Sequence, residues 1–139
     1  MKMTFFIALS LLAITANAQD TSKNQKDDDY DKTFTKVETE AAYPGGKAAW
    51  ESFVSHTLHY PDDAINNEIQ GTVIVQFIVD KDGNISSVAA VSGPLKGGLR
   101  EEAVRVMKLS GKWIPAVRNG RKVRSYKKQP FYFKMSVSK

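Results

Sequence analysis

Gly71-Thr72-Val73-Ile74-Val75-Gln76-Phe77-Ile78-Val79, then Asp80-Lys81-Asp82-Gly83, then Asn84-Ile85-Ser86-Ser87-Val88-Ala89-Ala90-Val91 is the stretch that decides the fold. The first run is β-branched and aromatic, with Val73, Val75, Phe77 and Val79 at a spacing of two. Successive side chains of a strand point to opposite faces, so these four share one face. Thr72, Ile74, Gln76 and Ile78 share the other, less apolar face. Asp80 to Gly83 is a short polar break, and its glycine takes a positive φ at little cost. A weaker strand follows, so the whole reads as a β-hairpin. A lone hairpin is marginal in water, and further elements must cover its apolar face.

Those elements flank it. Tyr43-Pro44-Gly45-Gly46 is a turn cluster before a helical pattern that puts Ala49, Trp50, Phe53, Val54 and Leu58 on one face. Tyr60-Pro61 ends it, because the residue before proline avoids helical geometry. Pro61 suits the first position of a short helix with Asp62 and Asp63 in its first turn, and Ala64, Ile65 and Ile69 are expected to pack inward. Beyond Gly97-Gly98, Leu99, Ala103, Val106 and Met107 form the apolar stripe of another helix, which Gly111 stops. Trp113-Ile114-Pro115 and a turn at Asn119-Gly120 lead into a third strand over 122–135.

The order helix, strand, strand, helix, strand constrains the topology. A helix after strand two returns the chain, so strand three runs parallel to strand two. In an antiparallel sheet it must then pair with strand one. The expectation is an α+β two-layer sandwich, with a three-stranded antiparallel sheet in the order 2-1-3 and two main helices on one face. Strands two and three are then both edges. Pro130, which cannot donate to a ladder, agrees with an edge position for strand three.

The chain has 139 residues and no cysteine. It suits one small core and excludes a disulfide framework, thiol catalysis, cysteine zinc sites and a lipid-modified N-terminal cysteine. Lys2, the apolar run Phe5 to Ile14 and Ala16-Asn17-Ala18 read as a secretory signal peptide over residues 1–18. The expected product is an exported, periplasmic protein without an integral membrane segment after cleavage. Residues 19–40 hold seven acids and four lysines and read as a disordered polar leader. Its Asp27-Asp28-Asp29 run lacks a loop to converge the carboxylates on a cation and reads as solvated. Residues 41–139 form the domain. The formal net charge is +5, but an exported chain is not expected to meet nucleic acid.

Tyr60-Pro61 and Ala64 stand before Gly71-x-Val73-x-Val75-x-Phe77-x-Val79. Asp82-Gly83, Val91-Ser92-Gly93, Leu99-x-x-Glu102-Ala103, Trp113-x-Pro115 and Asn119-Gly120-x-x-Val123 follow. This ordered set resembles the TonB C-terminal domain family over about residues 43–135. The leading Pro44-Gly45-Gly46 resembles the version found in Bacteroidetes-type proteins. The resemblance implies a domain that works outside the inner membrane and binds the TonB-box peptide of outer-membrane transporters by strand addition at its third strand. Pro130 stands where family members commonly carry a proline. In full energy transducers an inner-membrane motor then pulls the transporter open. This chain departs from that pattern, with a cleavable signal in place of a transmembrane anchor and no long proline-rich spacer. The resemblance therefore implies peptide binding, and the departure leaves energy transduction an open part of it.

The expected peptide-binding residues are Lys127, Lys128, Gln129, Pro130, Phe131, Tyr132 and Phe133. Main-chain bonds would give affinity, and Lys127, Lys128 and Tyr132 side-chain contacts. The expected partner is an outer-membrane TonB-dependent transporter or another envelope protein. A self-associating domain, with strand edges paired in a homodimer and Ile74 and Ile78 on the second face, is the alternative. Arg118, Arg121, Lys122, Arg124, Lys127 and Lys128 form a basic cluster that either steers acidic peptides or lipid head groups or is a solvated face. His56 and His59 with Asp62 and Asp63 are the only metal-like group, but Pro61 interrupts the helix and the H-E-x-x-H spacing is absent. Asp80-x-Asp82-Gly83 resembles the start of an EF-hand loop without its later ligands. Trp50 and Trp113 are expected as core anchors. No Ser/His/Asp constellation stands out, and Gly45-Gly46-Lys47 lacks the upstream glycine of a P-loop. No catalytic residue, metal or cofactor is expected.

Overall fold

The computed structural model describes residues 32–136. The expected signal peptide and residues 19–31 of the expected leader lie outside them. The described chain carries β1 (Thr33–Phe34), α1 (Gly46–Thr57), α2 (Asp62–Asn66), β2 (Gly71–Val79), β3 (Ile85–Ser92), α3 (Leu99–Lys108), β4 (Ala116–Arg118) and β5 (Arg121–Phe133). The fold is α+β.

The hairpin forms as the alternation requires. Val73, Val75, Phe77 and Val79 are fully buried. The Asp80 carboxylate accepts the N–H groups of Asp82 and Asn84, both at 2.9 Å. Partial burial pushes this carboxyl up, but those donors, with Lys112 nearby, outweigh it and hold it below the ordinary carboxylate range. Gly83 sits at φ 87°, and its carbonyl accepts the Trp113 N–H at 2.9 Å. A Cβ there would lie 2.2 Å from the Trp113 carbonyl oxygen, so only glycine fits. The turn is thus tied to the chain that follows α3.

The expected three-stranded antiparallel sheet is corrected. The sheet has five strands in the order β1-β5-β2-β3, with β4 paired to β5. β2 pairs antiparallel with β3 on one side and with β5 on the other, from Gly71↔Phe133 to Val79↔Ser125. Asn119 (φ 53°) and Gly120 (φ 73°) form the two-residue turn from β4 to β5. Both central residues in the left-handed region is the twist-matched geometry for a tight hairpin. β1 adds in parallel to β5, with Thr33↔Arg124 and Phe34↔Ser125.

β1 also corrects the expected domain boundary at residue 41. Phe34 and Val37 pack against the core, the N–H groups of Glu38 and Thr39 both reach the Val117 carbonyl at 3.1 Å, and Ala42 bridges Ile114. These backbone bonds hold a polar segment whose composition lacks enough apolar residues to announce a fold.

The helices bury their stripes on one face of the sheet. Leu99, Ala103, Val106 and Met107 of α3 and Ala64 of α2 are fully buried, and α3 packs on β2 and β3. Tyr43, Trp50, Phe53, Phe77, Trp113 and Phe131 form a ring cluster, with centroids of contacting pairs 4.9–5.8 Å apart and mostly edge-to-face. Such pairs each add about 0.5–1.5 kcal/mol beyond area burial. Two expectations fail on the flanks. Ile65 is 46% exposed, because the single turn of α2 presents only Ala64 to the core. Ile78 is on the outer face yet only 5% exposed, lying between Ser86 and Tyr126 of the neighbouring strands.

Candidate functional site

An edge strand keeps one row of backbone donors and acceptors unpaired, and such a row is a template for another chain. The two edges here differ. β3 pairs with β2 through two register irregularities, and Ser87 takes φ 51°. Bulges of this kind twist an edge away from further pairing. β5 has a longer regular run. Its residues 121–123 pair with β4, and Arg124 and Ser125 pair with β1. From residue 126 to 133 it pairs with β2 alone.

That unpaired stretch faces a groove. A cavity of about 430 Å3 is lined by Lys47, Trp50, Glu51, Val54 and Ser55 of α1 and by Gln129, Pro130, Phe131 and Tyr132 of β5. No β2 residue lines it, so it lies outside the sheet, between the helix and the free edge. Trp50 reaches the edge through its ring contact with Phe131, at 5.6 Å between centroids. Lys47 and Glu51, 3.9 Å apart, sit at the rim. Pro130 stands opposite Ile74 in the β2–β5 register. A ladder admits proline where its nitrogen points away from the partner strand, so the free edge receives a carbonyl without a donor at this position.

The seven expected residues fall on two faces. Phe131 and Phe133 are buried in the core, so only their backbone is available to a partner. Lys127 also faces inward. Its ammonium is 2.9 Å from the Glu40 carboxylate, and its side chain is 21% exposed, so the expected free lysine is already engaged. Gln129 is half-buried and lines the groove. Lys128 and Tyr132 are exposed, Tyr132 by 65%, and Pro130 borders the groove. The α1 residues Lys47, Glu51, Val54 and Ser55 escaped the sequence reading. Val54 was placed on the core face, and nothing in the heptad-like pattern signals that this face overhangs the strand edge.

The basic cluster is divided. Arg118, Arg121 and Lys122 surround the β4–β5 turn, and the Arg118 guanidinium lies 4.3 Å from the centroid of the Phe34 ring. His56 and His59 are both exposed. His56 Nδ1 is 2.7 Å from the Ser52 carbonyl, and the His59 backbone N–H donates to Glu102 at 2.5 Å. Among the described residues, no three His, Asp or Glu side chains converge on a point that could hold a metal ion. Burial pushes the Glu102 carboxyl up, but the Arg105 guanidinium and the His59 N–H outweigh it and hold it below its ordinary range. This links α3 to the end of α1 and is structural. Among the described residues, no helix is long and apolar enough to cross a membrane.

Residues 56–135 match the family model described as Gram-negative bacterial TonB protein C-terminal. No curated protein matches the chain. Two solution NMR structures of the Helicobacter pylori TonB-CTD, a longer and a shorter fragment, are similar to it. The longer is 20% identical, with 68% of this chain and 89% of that one covered and a TM-score of 0.49. The shorter is 22% identical, with 63% and 90% covered and a TM-score of 0.48.

Proposed function

Because the chain belongs to the family of Gram-negative bacterial TonB protein C-terminal domains, we propose that it is a non-catalytic periplasmic module that binds an extended peptide by strand addition to β5. The partner is an outer-membrane TonB-dependent transporter, through its TonB box, or another envelope protein, and the process served is TonB-linked transport. One observation carries this reading: the unpaired run over residues 126–133 lies beside a groove roofed by α1. At about 3.3 Å per residue, the run spans roughly 25 Å.

Main-chain bonds to this edge supply affinity without demanding a particular sequence. Selectivity comes from the pleat. Alternate side chains of the added strand turn toward α1, where Trp50, Val54 and Pro130 offer apolar contact. The others turn outward, beside Lys128 and Tyr132. The buried Phe131 and Phe133 hold the edge straight from the core side, and Lys127 and Gln129 contribute their backbone.

Titration of isotope-labelled protein with a transporter TonB-box peptide tests this. Backbone amide signals should move within residues 126–133 and at Lys47, Glu51, Val54 and Ser55, with signals of β3 unmoved. Ser55→Glu places a carboxylate at the groove from an exposed position and should weaken binding roughly tenfold while leaving the fold intact. Absence of any shift at millimolar peptide sinks the proposal.

A further inference from the structure

The free edge of β5 is shared with the chain's own N-terminal segment. β1 occupies the edge at Arg124 and Ser125, on the side away from β2. The chain then leaves the sheet but stays beside it. A cavity of about 470 Å3 lies between Thr35 and Glu40 on one side and Gln76, Tyr126, Lys127 and Lys128 on the other. The Glu40 carboxylate closes on the Lys127 ammonium at 2.9 Å. Between β1 and Glu40, and just after Glu40, the segment is clamped to β4 and the core. Glu38 accepts the Asn119 N–H at 3.0 Å, Val117 and Thr39 bond through their backbones, and Ala41 is buried. The stretch before that clamp is held by two strand residues, by Phe34 and Val37 partly buried against the core and by the Phe34 ring against Arg118, and Glu40 itself only by one ion pair in which its side chain is 75% exposed.

We propose that residues 33–40 form a strap that sets how long a peptide the β5 edge accepts, with Glu40 and Lys127 as its latch. This rests on the strand-addition reading above. With the strap closed, a partner meets free edge only over residues 129–133, beside α1. A peptide of about five or six residues fits there without disturbing β1. A longer one must displace Glu40 from Lys127 and then compete with β1 for the backbone groups at 124–125. The occupant of the rest of the edge is thus either this chain or the partner, never both. Long peptides consequently bind with a penalty that salt relieves, because screening weakens the exposed latch.

The test has two arms. In the protein without peptide, Glu40→Gln and, separately, Phe34→Ala should speed hydrogen exchange of amides at 126–128 and leave those of β2 unchanged. Phe34→Ala loosens β1 without touching the ion pair, so the two variants probe the strap independently. In the second arm, a six-residue TonB-box peptide and the same peptide lengthened by four residues at either end are titrated into wild type and Glu40→Gln. The short peptide should bind both proteins alike. The long peptide should bind Glu40→Gln about two- to fivefold more tightly, the range for release of a largely exposed ion pair, and shifts should extend to Tyr126. Unchanged exchange in both variants overturns the strap. Equal binding of the long peptide to wild type and Glu40→Gln overturns its control of length. No binding of either peptide to either protein, with exchange altered as expected, overturns the strand-addition reading instead.

Discussion

Replacing Gly83 by alanine should cost far more than the same change at Gly111, although both glycines have φ near 80° (87° and 78°). At Gly111 a Cβ meets nothing within 4 Å, so Gly111→Ala reports the left-handed backbone alone, about 1–2 kcal/mol. At Gly83 the same Cβ lands 2.2 Å from the Trp113 carbonyl oxygen. That atom is backbone and cannot rotate aside. Relief requires a shift of about 1 Å, which overpacking data place at roughly 1–3 kcal/mol. The shift also stretches the 2.9 Å bond from the Trp113 N–H to the Gly83 carbonyl, about 1 kcal/mol more. Gly83→Ala should therefore lose roughly 3–6 kcal/mol, about 2–4 more than Gly111→Ala. With an m value near 1.2 kcal/mol/M, that difference moves the urea midpoint by about 2–3 M. Urea titrations followed by tryptophan fluorescence read it directly, because Trp113 sits at the contact. A difference below about 0.5 kcal/mol would refute the claim that the hairpin turn is locked to the strand after α3.

Trp50→Ala should cost about 3–5 kcal/mol by urea or thermal unfolding, since its ring touches those of Tyr43, Phe53, Trp113 and Phe131. Glu102→Gln should destabilise the protein by about 1.5–3 kcal/mol at neutral pH, because the carboxylate accepts from the Arg105 guanidinium and the His59 N–H. Its folded carboxyl lies below the unfolded value, so this stability is fully present above the ordinary glutamate range near pH 4.3 and is lost as pH falls through the lower folded value. Unfolding curves of wild type and Glu102→Gln should accordingly converge in acid. Arg100→Ala should loosen the loop before α3, since Nε and Nη2 both hold the Gly93 carbonyl (3.1 and 2.7 Å). Faster amide exchange over residues 93–98, with about 1 kcal/mol lost, is the expected readout.

What was legible in the sequence follows from period and length. β2 alternates over nine residues and α3 carries four buried residues at helical spacing, so their faces could be read without a structure. β1 and β4, with two and three residues, are too short to show any period. They exist because backbone groups of Thr33, Phe34 and residues 116–118 find β5, which lies far away or across a turn. The polar composition of residues 33–40 points to an unfolded leader, yet Phe34 and Val37 suffice once those long-range bonds form. The free edge of β5 followed from topology and Pro130. The groove did not, because whether α1 overhangs β5 or β2 depends on helix placement over the sheet. The engagement of Lys127 was hidden for a similar reason: its partner, Glu40, is 87 residues away in sequence.

The pairing of β2 with β5 has a kinetic side. β2 and β3 are neighbours in the chain and close early, whereas β2 must wait for a strand that begins at Arg121. Loop-closure entropy makes such distant pairings slow. Until β5 arrives, β2 offers nine residues of apolar, regular edge to the surroundings. That is the composition that templates aggregation. Truncation anywhere in residues 121–133, or a mutation that slows docking of β5, should lower soluble yield before it lowers the stability of whatever folds. Cellular quality control would act on that exposed β2 edge, and the mature edge of β5 comes into being only once β2 has been covered.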